Sequence, residues 1–455
     1  MISKRALLFS FCAACGAKRA PAGTVAGTVT TATGGVLAGV TVTITPSKGA
    51  AAALAVTGQS GTFSFANVPV SPGTGSLSVS TLPGPCTAPA PVPYKSVSSK
   101  AALAVPLVVS CDRATDPAGL WLGGTMSYGA SALASSGAPP LTDLCPPSFA
   151  TAGAEAFDGN GNLWTQFPGG TATALAQWSA AQLATACSAS AQPAITISDA
   201  GTDFYALAFD AQGTLWASTG KAALIYGFAA AQLTTTQTAT PSFVIAPDEG
   251  SPAALRDPHG LAVDAAGSLW VANGGSLLAY KATTLAAATN ANVGPVPDAV
   301  ITTPENQANL NALAASPTVY PNAIFTQLAF DSLGNLWVTG LRQDTATSAT
   351  SVIWRYAAAD LAGAATAHLP APALVLERSA DQTTTKTAFG ALAFDATGNL
   401  WVGAYSTGPN LLRYPASALA SGGAPDIELR APVASVGASL AFTPAPAGLP
   451  IRAPK

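Results

Sequence analysis

Charged residues are scarce in this chain of 455 residues, where they form 9% of the composition and leave a formal net charge of −3. Basic residues form no run longer than a pair such as Lys18-Arg19. A protein that binds nucleic acid must neutralise a series of phosphates with Lys and Arg side chains. The composition therefore argues against nucleic acid as a partner.

Long apolar runs are missing as well. Even the stretch from 101 to 109 is interrupted by Pro106 and is followed by the polar Ser110. A membrane helix needs about 20 consecutive apolar residues. We therefore expect no membrane-spanning helix in the body of the protein.

The common catalytic and metal-binding motifs are also absent from the sequence. It has only two histidines, His259 and His368, and both lie far from any cysteine. None of the four cysteines after residue 15 has the Cys-x-x-Cys spacing of a zinc site. The sequence contains no Gly-x-Ser-x-Gly elbow, no phosphate-binding Walker loop and no calcium loop of alternating acids. It therefore predicts no cofactor.

The N-terminus has the order of regions found in an export signal. The charged start, with Lys4 and Arg5, is followed by a short apolar run that reaches Ala14. Ala13-Ala14-Cys15-Gly16 resembles the lipobox of bacterial lipoproteins, although Cys12 stands where Leu is usual. The resemblance implies that residues 1–14 are removed and that Cys15 carries a lipid anchor. The alternative is a soluble secreted protein or a misassigned start.

An even number of cysteines in an exported chain favours disulfides over metal sites. Cys86 follows a predicted strand, and Cys111 closes the apolar run from 103 to 109, so both lie at strand ends of one small domain. We predict a Cys86–Cys111 disulfide, with two independent buried thiols as the alternative. Cys145 and Cys187 remain as a pair by count, but their loops are predicted to point toward opposite faces, which leaves this bond open.

Residues 20–112 show the alternation of half-buried strands. Val40, Val42 and Ile44 face one way, while the threonines between them face the other. Two segments resemble the carboxypeptidase-regulatory-like family. They are residues 35–44 and Ser-Gly-Thr-Phe-Ser-Phe-Ala-Asn-Val-Pro at residues 60–69. This resemblance implies a small Ig-like β-sandwich that acts as a non-catalytic spacer or adhesion module.

An internal repeat dominates the rest of the chain. The motif Asp-x-x-Gly-x-Leu-Trp occurs five times, and a shortened copy ends at Trp121. The full copies are Asp158–Trp164, Asp210–Trp216, Asp264–Trp270, Asp331–Trp337 and Asp395–Trp401. The spacing of about 40 to 70 residues is typical of four-stranded propeller blades, with Asp and Gly forming a turn in each unit. We assign the tryptophans to packing between neighbouring sheets.

The two ends of the repeat region complement each other. The first unit lacks its Leu-Ala-Phe strand, and an unpartnered copy occurs at Leu440-Ala441-Phe442. The sequence therefore predicts an all-β protein in which residues 115–449 form a six-bladed β-propeller closed by its C-terminal strand. The sequence of residues 392–402 resembles bacterial NHL-type repeats and, more loosely, gluconolactonase and streptogramin-lyase propellers. That resemblance specifies the fold but assigns no active site.

Three residues near the predicted propeller axis are candidates for chemistry. Gluconolactonase-type propellers bind a divalent cation there, which makes Glu155, His259 and Asn273 the nearest candidates for metal or catalytic roles. Glu155 occupies a position that is leucine in other units, and we favour an irregular second unit that lets it reach solvent. We interpret His259 as a capping group in the turn that begins at Asp257.

Charged residues and long insertions gather in the connections that reach one propeller face. The insertions 302–324 and 340–351 are the longest, and long loops on a rigid scaffold commonly carry recognition. We expect a non-catalytic, monomeric binding scaffold in the cell envelope, or otherwise periplasmic or secreted. Its partner on this face is an unknown protein, glycan or small ligand. The alternatives are a metal-dependent lactonase- or lyase-like enzyme and a purely structural surface protein.

Overall fold

The computed structural model describes most of the chain between residues 21 and 443. The gaps are 33–36, 38, 48–50, 59, 71–72, 83–85, 112–117, 124–125, 135, 137–140, 143–153, 170–171, 185–191, 199–203, 220–222, 248–254, 288–294, 303–322, 346–347, 363–371, 378–387, 406–409 and 430–438. Residues 1–14, which the sequence predicts to be a signal segment, lie outside the described residues, as do Cys15, Cys145, Cys187 and His368. The described chain is built mainly from antiparallel β-sheets.

Two sheets form an N-terminal unit around one apolar core. The first holds β1 (Ala22–Thr31), β4 (Thr62–Pro69), β6 (Cys86–Thr87), β8 (Leu103–Ala104) and β9 (Leu107–Cys111). The second holds β2 (Thr41–Pro46), β3 (Ala53–Val56), β5 (Gly75–Ser80) and β7 (Val92–Tyr94). Val29 and Phe63 of the first sheet pack in the same core as Val42 and Leu77 of the second. The two sheets therefore form a sandwich.

The disulfide predicted within this unit is confirmed. Cys86 begins β6 and Cys111 ends β9, and the two residues lie directly opposite each other in the antiparallel pair. Their sulfur atoms are bonded across a sequence separation of 25 residues. The bond joins the short edge strand β6 to the core strand β9, so it fixes an edge that has little apolar area of its own.

Six further sheets follow within the described part of the chain. Sheet I holds β10 (Ala118–Leu122), β11 (Met126–Gly129), β12 (Leu141–Thr142) and β34 (Leu440–Phe442); sheet II holds β13 (Glu155–Phe157), β14 (Leu163–Gly169), β15 (Ala172–Trp178) and β16 (Ile195–Ser198); sheet III holds β17 (Phe204–Phe209), β18 (Leu215–Thr219), β19 (Ile225–Phe228) and β21 (Phe243–Ile245). Sheet IV holds β22 (Pro258–Val263), β23 (Leu269–Asn273), β24 (Ser276–Tyr280) and β25 (Ala299–Thr302); sheet V holds β26 (Ala323–Phe330), β27 (Leu336–Thr345), β28 (Ser348–Tyr356) and β29 (Leu374–Glu377); sheet VI holds β30 (Ala388–Phe394), β31 (Leu400–Tyr405), β32 (Leu411–Tyr414) and β33 (Ile427–Leu429). A short strand, β20 (Gln237–Thr238), adds to β16 in parallel.

The sheets are arranged in a ring. The innermost strands β34, β13, β17, β22, β26 and β30 contact one another in that order, and β30 contacts β34 in turn. The C-terminal strand β34 pairs with β10, with Leu120 opposite Phe442, as the unpartnered Leu-Ala-Phe copy predicts. Because the last strand of the chain completes the first sheet, the fold is a β-propeller whose ends are joined.

A short helix lies between the third and fourth strands of each of the six sheets. These helices are η1 (Ala132–Ala134), α1 (Ala180–Leu183), η2 (Ala230–Leu233), α2 (Ala282–Ala287), α3 (Ala358–Ala362) and α4 (Ala416–Ser421). The buried leucine of the repeat, such as Leu183 or Leu419, anchors each of several helices to its sheet. None of the helices in the described residues is long and apolar enough to cross a membrane.

The repeated Asp-x-x-Gly-x-Leu-Trp motif forms the turn between the first two strands of sheets II to VI. In sheet V, Asp331 Oδ1 accepts the backbone N–H groups of Leu333 and Asn335, both at 2.9 Å. Its other oxygen accepts the indole N–H of Trp337 at 2.9 Å and the amide of Asn335 at 2.8 Å. Gly334 adopts φ 79°, which favours glycine over residues with a Cβ. The aspartate thus accepts hydrogen bonds both from backbone N–H groups of the turn and from a buried indole N–H.

Tryptophans of this motif pack between neighbouring sheets, as assigned from the sequence. Trp337 lies edge-on to Phe394 of the next sheet, with ring centroids 5.9 Å apart. The same contact joins Trp164 to Phe209 at 6.3 Å. All of the motif tryptophans are buried. Their rings therefore contribute mainly to the core between the sheets.

The predicted insertion at 340–351 is largely a β-hairpin. Strand β27 continues to Thr345, and β28 begins at Ser348, with Arg342 paired to Thr350 across the two strands. The insertion is therefore mostly a continuation of the hairpin, in which the ladder of backbone hydrogen bonds extends past the body of the sheet. The insertion 302–324 falls mostly outside the described residues.

Candidate functional site

The innermost strands begin with a β-bulge in four consecutive sheets. The register shifts in β17, β22, β26 and β30 a few residues after each strand begins. Tyr205, His259, Thr326 and Gly390 occupy the bulges. A bulge leaves a residue outside the regular pairing and re-aims its side chain, and bulges are common beside functional sites. We call the face at which these strands begin the entry face, and the opposite face, with the Asp-x-x-Gly turns, the turn face.

Tyr205 and His259 form a stacked pair on the entry face. Their ring centroids are 5.0 Å apart and the rings are tilted by only 16°. Tyr205 is 39% exposed, and the side chain of His259 is 31% exposed. The two bulges of neighbouring sheets therefore present one continuous aromatic surface to solvent.

Hydrogen bonds from sheet to sheet hold these bulges in place. The hydroxyl of Ser218 in sheet III donates to the carbonyl of His259 in sheet IV at 2.6 Å. The hydroxyl of Thr339 in sheet V donates in the same way to the carbonyl of Gly390 in sheet VI, also at 2.6 Å. Because the carbonyl of His259 has a fixed donor, the backbone that carries the imidazole is held in place.

An aspartate lies beside the aromatic pair. Asp257 Oδ1 is 3.2 Å from Nε2 of His259, and the carboxylate is more than half exposed. The hydrogen bond with His259 lowers the pKa of Asp257 below its usual value, even though burial acts in the opposite direction. The site therefore combines two aromatic rings with a negative charge at neutral pH.

Asn273 supports this aspartate from within the sheet. Its amide oxygen accepts the backbone N–H groups of Arg256 at 2.8 Å and Asp257 at 2.9 Å. Its amide nitrogen lies 3.3 Å from the hydroxyl oxygen of Ser276. Both polar ends of the side chain are thus engaged in holding the segment that leads into β22. These contacts assign Asn273 a structural role beneath the site.

The structure connects two of the three sequence candidates and separates the third. His259 and Asn273 are linked through Asp257, whereas Glu155 begins β13 in sheet II, and β17 lies between β13 and β22 in the ring. Among the described residues, no group of three or more His, Cys, Asp or Glu side chains has an arrangement suited to a metal ion. His259 lies in β22 and not in a turn, because the backbone enters the ladder at Pro258.

Glu155 is buried, which corrects the expectation that it reaches solvent. It is 6% exposed and pairs with Thr165 in regular register. The corresponding residues of the other sheets are all leucines with similar burial: Leu207, Leu261, Leu328, Leu392 and Leu440. The second unit is therefore regular at this point, and the pairing carries the carboxylate inward.

Part of the charge expected on the entry face can be located. Arg342 of β27 forms an ion pair with Glu377 of β29, and both side chains are exposed. Arg256 is also exposed, at the segment that precedes β22. The other acidic and basic residues of the predicted loops mostly fall outside the described residues.

Tyr205 was not predicted from the sequence as part of a site, and Asp257 was named only as the start of a turn. The available signal was the position two residues before the repeated Leu-Ala-Phe or its equivalent, where neighbouring sheets carry Tyr205 and His259. Pairing the positions of adjacent units would have indicated a contact. The bulge that stacks the rings has no signal in the residue pattern.

No protein-family model matches the chain, and no curated protein sequence matches it. Similar solved structures include the Myceliophteria thermophila Cps50 (Swd1) β-propeller domain, at 13% identity and TM-score 0.36, which covers 61% of this chain and 86% of that one. Virginiamycin B lyase from Staphylococcus aureus matches at 12% identity and TM-score 0.32, over 58% of this chain and 65% of that one. PorZ, a bacterial surface component of the type-IX secretion system of Porphyromonas gingivalis, matches at 14% identity and TM-score 0.33. The match covers 64% of this chain and 37% of that one.

Proposed function

We propose that this protein is an exported, non-catalytic β-propeller scaffold that binds its ligand on the entry face. The observation that carries the proposal is the exposed stack of Tyr205 on His259 beside the carboxylate of Asp257. Exposed aromatic rings with a fixed position are favourable contact surfaces, since they bury a large area at a small cost in side-chain entropy. A ligand with an apolar or sugar face and a hydrogen-bond donor fits this arrangement.

The proposal includes the finer description of the fold. The six sheets correspond to a six-bladed propeller of NHL type over residues 115–449. The sandwich over residues 20–112 corresponds to a carboxypeptidase-regulatory-like, Ig-like module that holds the propeller away from its point of attachment. The order of contacts among the innermost strands supports the first assignment, and the shared core of the two N-terminal sheets supports the second.

Attachment to the cell envelope depends on the N-terminal segment. We propose that residues 1–14 are a signal peptide and that Cys15 carries the lipid. Metabolic labelling with a radioactive fatty acid tests this directly, because a Cys15→Ser variant should lose the label while the full-length chain keeps it. An equal label on both proteins would contradict the anchor, and an unlabelled exported wild type would indicate a secreted protein.

Binding on the entry face can be tested with purified residues 16–455. The wild type and a Tyr205→Ala/His259→Ala variant would be compared on a glycan array and in pelleting assays with insoluble envelope polysaccharide. The control is Leu333→Ala, which changes an exposed residue in a turn on the opposite face. We expect the double variant to lose at least about tenfold in binding. Equal binding by all three proteins, or binding by none of them, would contradict the proposal.

The enzymatic alternative makes a different prediction. A lactonase- or lyase-like site would use Glu155 with Asn273 or His259 around a divalent cation. The amide oxygen of Asn273 already accepts two backbone N–H groups, which supports the binding role over this one. Stoichiometric calcium, magnesium or zinc in the purified protein, lost in an Asn273→Ala variant, would overturn the proposal.

A further inference from the structure

One position of the repeat carries two arginines that bridge neighbouring sheets. It lies on the third strand of each sheet, directly across from the motif tryptophan. Its occupants are Ser127, Gln177, Gly227, Ala279, Arg355 and Arg413 in sheets I to VI. Because the register is the same in every sheet, these side chains start from equivalent places near the turn face.

The two arginines fill the junction between their own sheet and the next. The guanidinium of Arg355 lies 5.7 Å from the ring centroid of Trp337 and donates to the carbonyl of Leu419 at 3.4 Å. The guanidinium of Arg413 lies 5.9 Å from the ring of Trp401 and donates to the carbonyl of Leu133 at 3.5 Å. Each guanidinium thus combines a cation–π contact with a hydrogen bond to the next sheet.

Carboxylates complement the positive charge of Arg413. Asp426 accepts two hydrogen bonds from its guanidinium, at 2.9 and 2.7 Å, and thereby raises the pKa of Arg413. Asp395, the turn residue that also holds the indole of Trp401, contributes to the same effect through its charge. The turn aspartate of the motif is therefore close enough to a guanidinium in this position to stabilise it.

The equivalent junction between sheets II and III is a cleft. Gln177 stands in place of the arginine, and its side chain turns to Asp158 Oδ2 at 3.5 Å. The cleft has a volume of about 120 Å³ and opens on the turn face, where Asn160 and Thr234 on its rim are exposed. Trp164, Phe209, Leu233 and Asp158 line it. This volume accommodates several water molecules and therefore a planar guanidinium.

The junction between sheets III and IV is filled by a different side chain. Gly227 occupies the repeated position there, so no side chain extends from it. Phe243 of β21 packs against Trp216 instead, with ring centroids 5.7 Å apart, and a Cβ on Gly227 would meet both rings. An aromatic side chain of the sheet itself thus fills that space. The cleft beside Gln177 has no such substitute among the residues that line it.

We propose that the cleft between sheets II and III binds the guanidinium of an arginine side chain presented by a partner protein. The ring of Trp164 corresponds to Trp337 and Trp401, Leu233 corresponds to Leu419 and Leu133, and Asp158 corresponds to Asp395. The site thus repeats the tryptophan ring, the leucine of the next sheet and the turn aspartate that surround Arg413, whereas Ala194 stands in the place of Asp426. A planar cation that can stack and donate in its plane fits it better than a lysine ammonium.

The first experiment uses the whole chain from residue 16 and three small probes. N-acetylarginine amide carries the guanidinium, N-acetylcitrulline amide has the same shape without the charge, and N-acetyllysine amide has the charge without the plane. Binding would be followed through the indole N–H resonances of protein labelled with ¹⁵N-tryptophan. We expect the arginine probe to bind at millimolar concentration and the other two to bind about tenfold more weakly. Equal binding of all three, or no binding, would overturn the proposal.

Substitution at Gln177 separates this cleft from any other site. Gln177→Arg supplies the missing guanidinium internally, so it should abolish binding of the probe and raise the thermal midpoint by a few degrees. Gln177→Phe places an uncharged ring in the cleft, as Phe243 does at the next junction, and should also abolish binding, whereas Gln177→Ala leaves the cleft open and should retain it. Retained binding in Gln177→Arg or Gln177→Phe, or a lowered midpoint in Gln177→Arg, would contradict the assignment. The outcome is independent of the entry face, because Tyr205 and His259 are unchanged.

Discussion

Trp401 of sheet VI packs against Phe442 on the returning strand β34, with ring centroids 6.3 Å apart. The contact repeats the one between Trp337 and Phe394, two residues that belong to successive sheets without any break in the repeat. The last strand of the chain therefore packs against the preceding sheet through the same tryptophan–phenylalanine contact as the innermost strand of sheet VI. The closure of the ring is one more copy of the ordinary junction between sheets.

This equivalence gives a prediction for Phe442→Ala. Both Phe442 and Phe394 are buried, and removing either ring leaves a cavity beside a tryptophan. We expect each substitution to lower the free energy of unfolding of the propeller by about 3 kcal/mol, measured by urea denaturation. If Phe442→Ala costs less than half as much as Phe394→Ala, the C-terminal strand does not hold the ring closed.

The turn aspartates should differ in their tolerance of substitution. In Asp331→Asn the new amide would face two donors, the indole of Trp337 and the amide of Asn335, whereas in Asp264→Asn it would face only the indole of Trp270. We expect a loss of about 2 kcal/mol in free energy of unfolding for the first and a smaller loss for the second. Chemical denaturation of both variants measures the difference, and equal losses would show that the second donor does not matter.

The disulfide should stabilise only the N-terminal unit. Cys86 and Cys111 close a loop across 25 residues, which contributes about 3 kcal/mol by chain entropy. The core of this unit consists of residues between Val25 and Cys111. A Cys86→Ser/Cys111→Ser variant should therefore lower one calorimetric transition and leave that of the propeller in place. A shift of both transitions would show that the two units unfold together.

Glu155 should be replaceable by the leucine of its neighbours. A buried carboxylate carries a desolvation cost that leucine avoids, and five other sheets have leucine in this place. We expect Glu155→Leu to raise the free energy of unfolding by about 1 kcal/mol. The reverse change, Leu261→Glu, should lower it by at least about 2 kcal/mol. A destabilised Glu155→Leu protein would instead show that the contacts of the carboxylate outweigh its burial.

Acid should destabilise the propeller below about pH 4.5. Burial opposes ionisation of Asp395, but hydrogen bonds from Asn399, Thr397 and Trp401 outweigh it and lower its pKa, and His259 lowers the pKa of Asp257. A folded-state pKa below the unfolded value adds stability that is present above the unfolded pKa and is lost as the pH falls through the folded one. Thermal midpoints between pH 3 and 7 measure this loss. The slope should be shallower in Asp395→Asn, and an unchanged slope would rule out its contribution.

Much of the fold could be predicted from the residue pattern. The repeated aspartate, glycine and tryptophan fix a hairpin because each acts locally. Asp395 holds the turn, Gly398 takes the positive φ, and Trp401 returns its indole to the aspartate. The extra copy of the repeated Leu-Ala-Phe sequence at Leu440 to Phe442 predicted which strand completes the first sheet. The Cys86–Cys111 bond followed from two cysteines at the ends of predicted strands.

The candidate site could be predicted only in part. His259 and Asn273 were named from the sequence. In the structure the side chain of Asn273 accepts the backbone N–H of Asp257, and the ring of His259 stacks on Tyr205. A bulge is a departure from regular pairing, so the alternation of residues does not reveal it. Glu155 was expected in solvent because a charge in a leucine position suggested an irregular strand. The paired strand instead buries the carboxylate.

The sequence by itself determined the units of this protein, since each hairpin, turn and disulfide is specified by residues that lie close together in the chain or share one repeated position. Only the tertiary structure decided which side chains meet between units. Tyr205 reaches His259, and Arg355 reaches Leu419, because the sheets are arranged around a common axis. The distance between such residues depends on bulges and on the order of the ring, which no local pattern encodes. The cleft beside Gln177 emerges in the same way, from a difference between junctions that are otherwise alike.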